Sequence, residues 1–244
     1  MQKILAYPLT IIYFLFFGLI LLVFHPIQIV CLRVFGYEAH RRSVVILQFF
    51  IMRCLNVLGT RFSFKNEYVV PDNAPLIIVA NHQSMYDIPP IIWYMRKYHP
   101  KFISKKELGK GIPSISYNLK YGGSVLIDRK KPVQSLDAIE RFAKKVEENN
   151  WSAVIFPEGT RSRNGVPKPF KTKGLETLIN NMSNALIVPI TINNSWKTLR
   201  YGKFPMGIGA HIKLKAHKPL KVSEFDKETL IKRVEKTITE NIKI

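Results

Sequence analysis

Acidic residues and cysteines are scarce in this chain of 244 residues, and each shortage narrows what the protein can be. Seventeen Asp and Glu face 37 Lys and Arg, leaving a formal charge of +20. Such a chain needs an anionic partner; nucleic acid, a phosphorylated substrate and an anionic membrane surface all qualify. The two cysteines, Cys31 and Cys54, lie in apolar N-terminal segments without the spacing of a zinc site. They read as buried free thiols, compatible with a reducing compartment. Low-complexity tails and internal repeats are missing too, so the length fits one sizeable domain plus an appendage.

Charge is absent altogether between Lys3 and Arg33, and Ile4 to Phe24 is almost wholly apolar. About 20 apolar residues suffice to cross a bilayer core. A signal peptide would need a small-x-small cleavage site after Phe24; instead the apolar trend continues through Ile27–Leu32. Pro8 and Gly18 interrupt the run, so membrane embedding is expected and a full crossing is left open. Arg33, His40, Arg41 and Arg42 form a basic hinge. The second apolar segment, Val44 to Leu58, is broken by Gln48 and Arg53 and reads as an interfacial or paired helix. The flanking cations suit the cytoplasmic face of an inner or plasma membrane. Residues 1–60 are therefore expected to be a membrane-associated helical segment.

From Arg61 onward the composition is that of a soluble domain, 61–244. Apolar runs predict strands over Leu76–Ala80, Lys101–Ser104, Ser124–Ile127, Ala153–Phe156 and Leu186–Ile192, with a one-face-exposed strand over Ile208–Ala216. Helical periodicity covers Val133–Glu148, Lys173–Asn181 and Asp226–Ile242. This alternation predicts an α/β fold with a mixed, largely parallel sheet flanked by helices.

Asn81-His82-Gln83-Ser84-Met85-Tyr86-Asp87 stands where the first of these strands gives way to a helix near Pro89-Pro90. In α/β proteins ligands bind at the carboxyl ends of strands. On a regular helix a five-residue step turns two side chains apart, so His82 and Asp87 meet only if a turn separates them. If they meet, they form an imidazole base held by a carboxylate. Taken alone, the motif also reads as a loop His beside a capping Asp. Ser84 is expected to cap or brace the turn.

Three further blocks follow: Gly122-Gly123-Ser124-Val125-Leu126-Ile127-Asp128-Arg129, Phe156-Pro157-Glu158-Gly159-Thr160-Arg161-Ser162-Arg163, and Val188-Pro189-Ile190. In this order and spacing the four blocks, spanning Leu76 to Ile190, resemble the glycerolipid acyltransferases typified by lysophosphatidate acyltransferase. The resemblance implies an enzyme that moves a fatty acyl group from a thioester, acyl-CoA or acyl-carrier protein, to the free hydroxyl of a lysophospholipid, foremost lysophosphatidate, giving phosphatidate. It implies no metal or redox cofactor. Acyl transfer needs a base, here His82 with Asp87, and an anchor for the anionic acceptor.

Arg161 offers a planar fork that matches phosphate, Gly159 a tight backbone and Thr160 a hydroxyl. By resemblance Glu158 lines the acceptor site, orienting glycerol oxygens or Arg161; a structural ion pair is the alternative. Arg129 is a second phosphate candidate, with Asp128 expected to orient it, and Lys105 matches a basic position after the second strand. Pro189 is expected to end or bend a strand. One departure is the extra residue in Pro169-Phe170-Lys171-Thr172-Lys173-Gly174. Glycerol-3-phosphate and lyso-ornithine lipid remain open as acceptors. No nucleic-acid motif is visible, and a membrane segment explains the basicity without DNA. The other histidines, His25, His40, His99, His211 and His217, are expected at surfaces or interfaces.

Overall fold

The computed structural model of the chain describes residues 2–72 and 74–243. The N-terminal apolar run is one helix, α1 (Gln2–Val34), which neither Pro8 nor Gly18 breaks. At Gly36 the backbone takes φ +81°, a conformation that penalises any Cβ, and the chain turns into α2 (Gly36–Asn56). The two helices pair as a hairpin, Leu21 and Phe24 packing on Leu47 and Ile51. The basic hinge is therefore not a loop: Arg41 pairs with Glu38 on α2, and His40 is fully buried.

The remaining elements follow in order: β1 (Arg61–Asn66), β2 (Leu76–Ala80), α3 (Ile88–Tyr94), β3 (Pro100–Lys105) and α4 (Ile115–Tyr121). Then come β4 (Val125–Ile127), α5 (Pro132–Glu148), β5 (Ser152–Ile155), α6 (Thr172–Asn181), β6 (Leu186–Asn193), β7 (His211–Ala216), β8 (Leu220–Lys221) and α7 (Lys227–Thr239). The strands form one sheet in the order β1-β7-β6-β2-β5-β3-β4, with β8 also on β6. Pairing is parallel except where β7 and β8 meet β6, so the sheet is mixed and mostly parallel.

β2 is buried along its whole length. Its alternating side chains serve two cores, since successive residues of a strand point to opposite faces. Leu76, Ile78 and Ala80 join Ile91 of α3 and Leu55 of α2, while Ile77 and Val79 join Phe142 of α5, Leu178 of α6 and Val234 of α7. The first core also takes in Tyr13 of α1, so the inner face of the hairpin packs into the sheet domain. Its outer face stays open: Leu15, Leu19 and Leu22 are more than half exposed.

Pro189 does not end β6. It pairs with Val79 of β2 in the middle of the strand, between the stretch that meets β8 (Leu186, Ile187) and the stretch that meets β7 (Ile190–Asn193). No ladder partner is needed for its missing N–H in that gap, and its carbonyl accepts from the His217 amide. His217 itself is buried against Thr191 (Nε2 to Oγ1 2.7 Å), and burial pulls it down to about pH 4. Neither His40 nor His217 thus lies at the surface.

Candidate active site

The carboxyl ends of β2, β5, β3 and β4 lie side by side, because these four strands are contiguous and parallel. His82, the Glu158–Arg161 segment, Lys105 and Arg129 follow or close those four strands in that order.

Asn81 extends the ladder past the end of β2. Its side-chain amide takes both the carbonyl and the N–H of Ile192 (2.8 and 2.7 Å), replacing the backbone pair that the next residue would make. His82 is thereby released from the sheet. Residues Met85–Asp87 form a single 3-10 turn, and Ser84 caps it: its Oγ accepts from the Tyr86 amide, as expected of its position. That tight turn brings a residue five positions on back to the histidine. His82 Nδ1 lies 2.8 Å from Asp87 Oδ2, and the same oxygen accepts from the amides of Gln83 and Ser84 (2.7 and 2.9 Å). Asp87 is fully buried, whereas the His82 side chain is 15% exposed. With Nδ1 donating to the carboxylate, Nε2 is the nitrogen left for substrate. The imidazole stacks on Phe156 at 4.2 Å between ring centroids, which fixes its plane.

Glu158 is buried, and both of its oxygens hold backbone: Oε1 accepts from the His82 amide (2.7 Å) and Oε2 from the Lys168 amide (2.9 Å). It forms no ion pair with Arg161 among the described residues. The expected alternatives, orienting Arg161 or pairing with a cation, give way to a clamp joining the β2 and β5 loops. Burial raises its pKa, against the two amide bonds and His82, which favour the charged form. Ser162 completes the clamp, donating its amide and hydroxyl to the His82 carbonyl.

Gly159 has φ +69°, and a Cβ there would meet Lys171 at 3.3 Å, so glycine suits this bend on two counts. Arg129 donates to the Gly159 carbonyl, crossing from the end of β4 to the β5 loop. Partial desolvation of its guanidinium lowers its pKa, though the residue as a whole is exposed, and Glu107 opposes that shift. Asp128 does not orient it; its carboxylate accepts instead from the Lys130 amide. Thr160, Arg161 and Lys105 are exposed on this edge. Tyr86 is pushed up to about 12 by burial, with its hydrogen bond to Tyr13 and the Arg161 charge pulling the other way.

Gln83 and Ser195 went unnoticed as site residues. Ser84 Oγ lies 2.6 Å from Ser195 Oγ, and the Ser195 amide donates to Gln83 Oε1 (3.0 Å), tying the motif to the turn after β6. Only the proximity of Gln83 to His82 could have signalled this; Ser195 lies over a hundred residues away.

The Acyltransferase family profile matches residues 61–193, over half of the chain, and so covers every one of these groups up to β6. The chain belongs to this family. A 1-acyl-sn-glycerol-3-phosphate acyltransferase of Haemophilus influenzae is 25% identical over 184 residues, 74% of each chain. The chloroplastic 1-acyl-sn-glycerol-3-phosphate acyltransferase BAT2 of Brassica napus is 32% identical over 160 residues, 66% of this chain and 45% of its own. The match thus spans about half the length of that relative, as it does for the human 1-acyl-sn-glycerol-3-phosphate acyltransferase alpha (52%). The crystal structure of the 1-acyl-sn-glycerophosphate (LPA) acyltransferase PlsC from Thermotoga maritima superposes with a TM-score of 0.78 at 26% identity. It covers 98% of this chain and 95% of that one, so the likeness takes in the helical hairpin as well as the acyltransferase domain.

Proposed function

We propose that this protein transfers a fatty acyl group from a thioester to the free hydroxyl of lysophosphatidate, giving phosphatidate. The observation that carries the reading is the His82–Asp87 contact at the end of β2, one strand away from the loop bearing Arg161. His82 Nε2 takes the acceptor's hydroxyl proton as that oxygen attacks the thioester carbon. The imidazolium, held by Asp87 through Nδ1, returns the proton to the departing sulfur as the C–S bond breaks. The attacking oxygen belongs to the substrate, so no enzyme nucleophile is required. Arg161, with Arg129 and Lys105 on the same edge, supplies positive charge for the acceptor's phosphate. Gly159 and Thr160 shape the loop that presents Arg161.

The hairpin brings this edge to the lipid. α1 is long and apolar enough by length and composition to cross a membrane, and little of its apolar stretch is buried. Yet the helix contacts the domain along much of its length: Thr10 Oγ1 accepts from the Met206 amide, Tyr13 meets Tyr86, and the Leu21 carbonyl accepts from Ser114 Oγ. A helix so held lies along the domain, its outer face sinking into one leaflet of an anionic, cytoplasm-facing membrane.

The test is direct. Purified protein is given an acyl thioester, as acyl-CoA or as acyl-carrier protein, with lysophosphatidate in vesicles, and the lipid product is weighed by mass spectrometry. Phosphatidate is expected. Product formed only with glycerol-3-phosphate or a lyso-ornithine lipid would move the acceptor, and no acyl transfer to any of them would end the reading.

A further inference from the structure

A cleft of about 500 Å³ opens at the far end of the same sheet edge, beside β4. Lys106, Lys110, Lys120 and Arg141 line it against only two carboxylates, Asp128 and Asp137. The four cations come from three separate segments: the turn after β3, then α4, then α5. Among the described residues none of the four takes part in an ion pair. Asp128 already accepts from the Lys130 amide. Leu126 and Ile127 add apolar surface to the lining. The volume lies within the range of small-molecule sites, and the lining is net positive, four cations against two carboxylates.

Position decides what such a cleft can hold. Between β2, which carries His82, and β4 lie β5 and β3; three steps of about 4.8 Å make roughly 14 Å. The acceptor's phosphate and free hydroxyl sit on neighbouring glycerol carbons, so a hydroxyl at His82 cannot leave its phosphate here. The acyl tail is apolar and has no use for four cations. What remains is an anionic group far from the reacting carbon, and the thioester donor has one. In 4′-phosphopantetheine, the arm shared by coenzyme A and acyl-carrier protein, thiol and phosphate stand at opposite ends of an extended chain.

We infer that the Lys106/Lys110/Lys120/Arg141 cleft binds the phosphate end of the donor's phosphopantetheine arm. The arm runs from there past Arg129 to place the thioester at His82. This inference rests on the proposed acyl transfer and adds the seat of the donor to it.

The experiment uses the full-length protein and four palmitoyl thioesters: of coenzyme A, of acyl-carrier protein, of free phosphopantetheine, and of pantetheine without its phosphate. Lys106→Glu/Lys110→Glu and Lys120→Glu/Arg141→Glu reverse exposed charges, and Arg141→Ala serves as a milder variant. Each charge-reversed pair is expected to raise KM roughly tenfold or more for the three phosphorylated donors, the scale of a lost charge-assisted contact. The KM for lysophosphatidate and for the dephosphorylated thioester should stay at the wild-type level. An equal rise for the dephosphorylated donor, or a rise for lysophosphatidate alone, would overturn the assignment. So would an effect confined to coenzyme A or to acyl-carrier protein, since the cleft would then read the nucleotide or the carrier surface rather than the arm. Equilibrium binding of coenzyme A, measured without acceptor, separates the two readings. Loss of binding in the variants supports the cleft even if wild-type protein acylates no lysophosphatidate; unchanged binding sinks the cleft and leaves the acyl transfer untouched.

Discussion

The phenolic oxygens of Tyr13 and Tyr86 lie 2.9 Å apart, their rings set edge to face. One belongs to the apolar N-terminal helix and the other to the turn that carries Asp87, so that helix and the turn beside His82 share a buried contact. Removing a single hydroxyl leaves its partner with less hydrogen bonding in a desolvated place, since Tyr86 keeps only a 3.6 Å approach to Met206 sulfur. Tyr13→Phe should cost about 0.5–1.5 kcal/mol of stability, and Tyr13→Phe/Tyr86→Phe less than the sum of its parts. Unfolding in detergent micelles measures both. Strict additivity would mean the two phenols are not coupled.

The outer face of α1 makes a separate prediction. Leu15, Leu19 and Leu22 project from one side of the helix and touch little of the domain. Replacing all three with Ser should leave the melting temperature in micelles nearly unchanged. Membrane retention in vesicle flotation should fall, because each leucine contributes up to about 1.5–3 kcal/mol when moved out of water. Truncating the hairpin would be a poorer test, since Tyr13, Leu55 and Leu58 are part of the sheet domain's core. Undiminished flotation would point to the cations rather than the apolar face as the anchor.

If His82 is the base proposed, His82→Ala should lower turnover by roughly 10²–10⁴-fold, the scale of a lost general base, with the circular dichroism spectrum unchanged. Asp87→Asn is expected to be severe but less complete. An amide oxygen in the place of Oδ2 can still accept from Gln83, Ser84 and His82, while the charge that steadies the imidazolium is gone. Near-normal turnover by a folded His82→Ala protein would end the mechanism.

Much of this was legible in the chain. The motif beginning at Asn81 and the block from Phe156 marked the edge of the sheet, and the long apolar runs marked β2, β5 and β6, because buried strands advertise themselves by composition. β1 was not legible: Arg61-Phe62-Ser63-Phe64-Lys65-Asn66 is a half-exposed edge strand whose partner, β7, lies 150 residues away. The position of Glu158 in the motif was plain, but its role was not. A carboxylate that clamps two backbone amides looks, in one dimension, like one that faces a substrate. His217 was misplaced for a related reason, because its Thr191 partner comes from a neighbouring part of the sheet rather than from nearby sequence.

The clamp has a pH signature. The folded-state pKa of Glu158 is raised above its unfolded value by burial, so the stability tied to its proton is present below the unfolded pKa, near 4.3, and is lost as pH rises through the folded pKa. Glu158→Gln does not titrate, and its amide can serve only one of the two N–H donors from His82 and Lys168. The stability of wild type minus that of Glu158→Gln should therefore be largest at low pH and shrink towards neutrality. Unfolding of both proteins from below the unfolded pKa up to neutral pH gives the curve. A difference that grows with pH would mean the buried carboxylate is stabilised in its charged form.

Arg161 separates anchoring from chemistry. Its side chain is exposed and has no acidic partner among the described residues. On the proposed reading the acceptor's phosphate keeps its charge while the acyl group moves, so a contact with Arg161 would be nearly equal in ground and transition states. Loss of that contact should appear mainly in the acceptor's KM. A charge-assisted hydrogen bond contributes about 1.5–3 kcal/mol, or roughly ten- to 150-fold. Some kcat should fall with it, because a loosely held phosphate misplaces the hydroxyl relative to His82. Arg161→Lys should recover only part, since an ammonium keeps the charge but not the fork. The KM for the thioester should hardly change, in contrast to the Lys120→Glu/Arg141→Glu protein. If Arg161→Ala instead weakens the thioester and spares lysophosphatidate, the two anionic seats on this edge have been assigned the wrong way round.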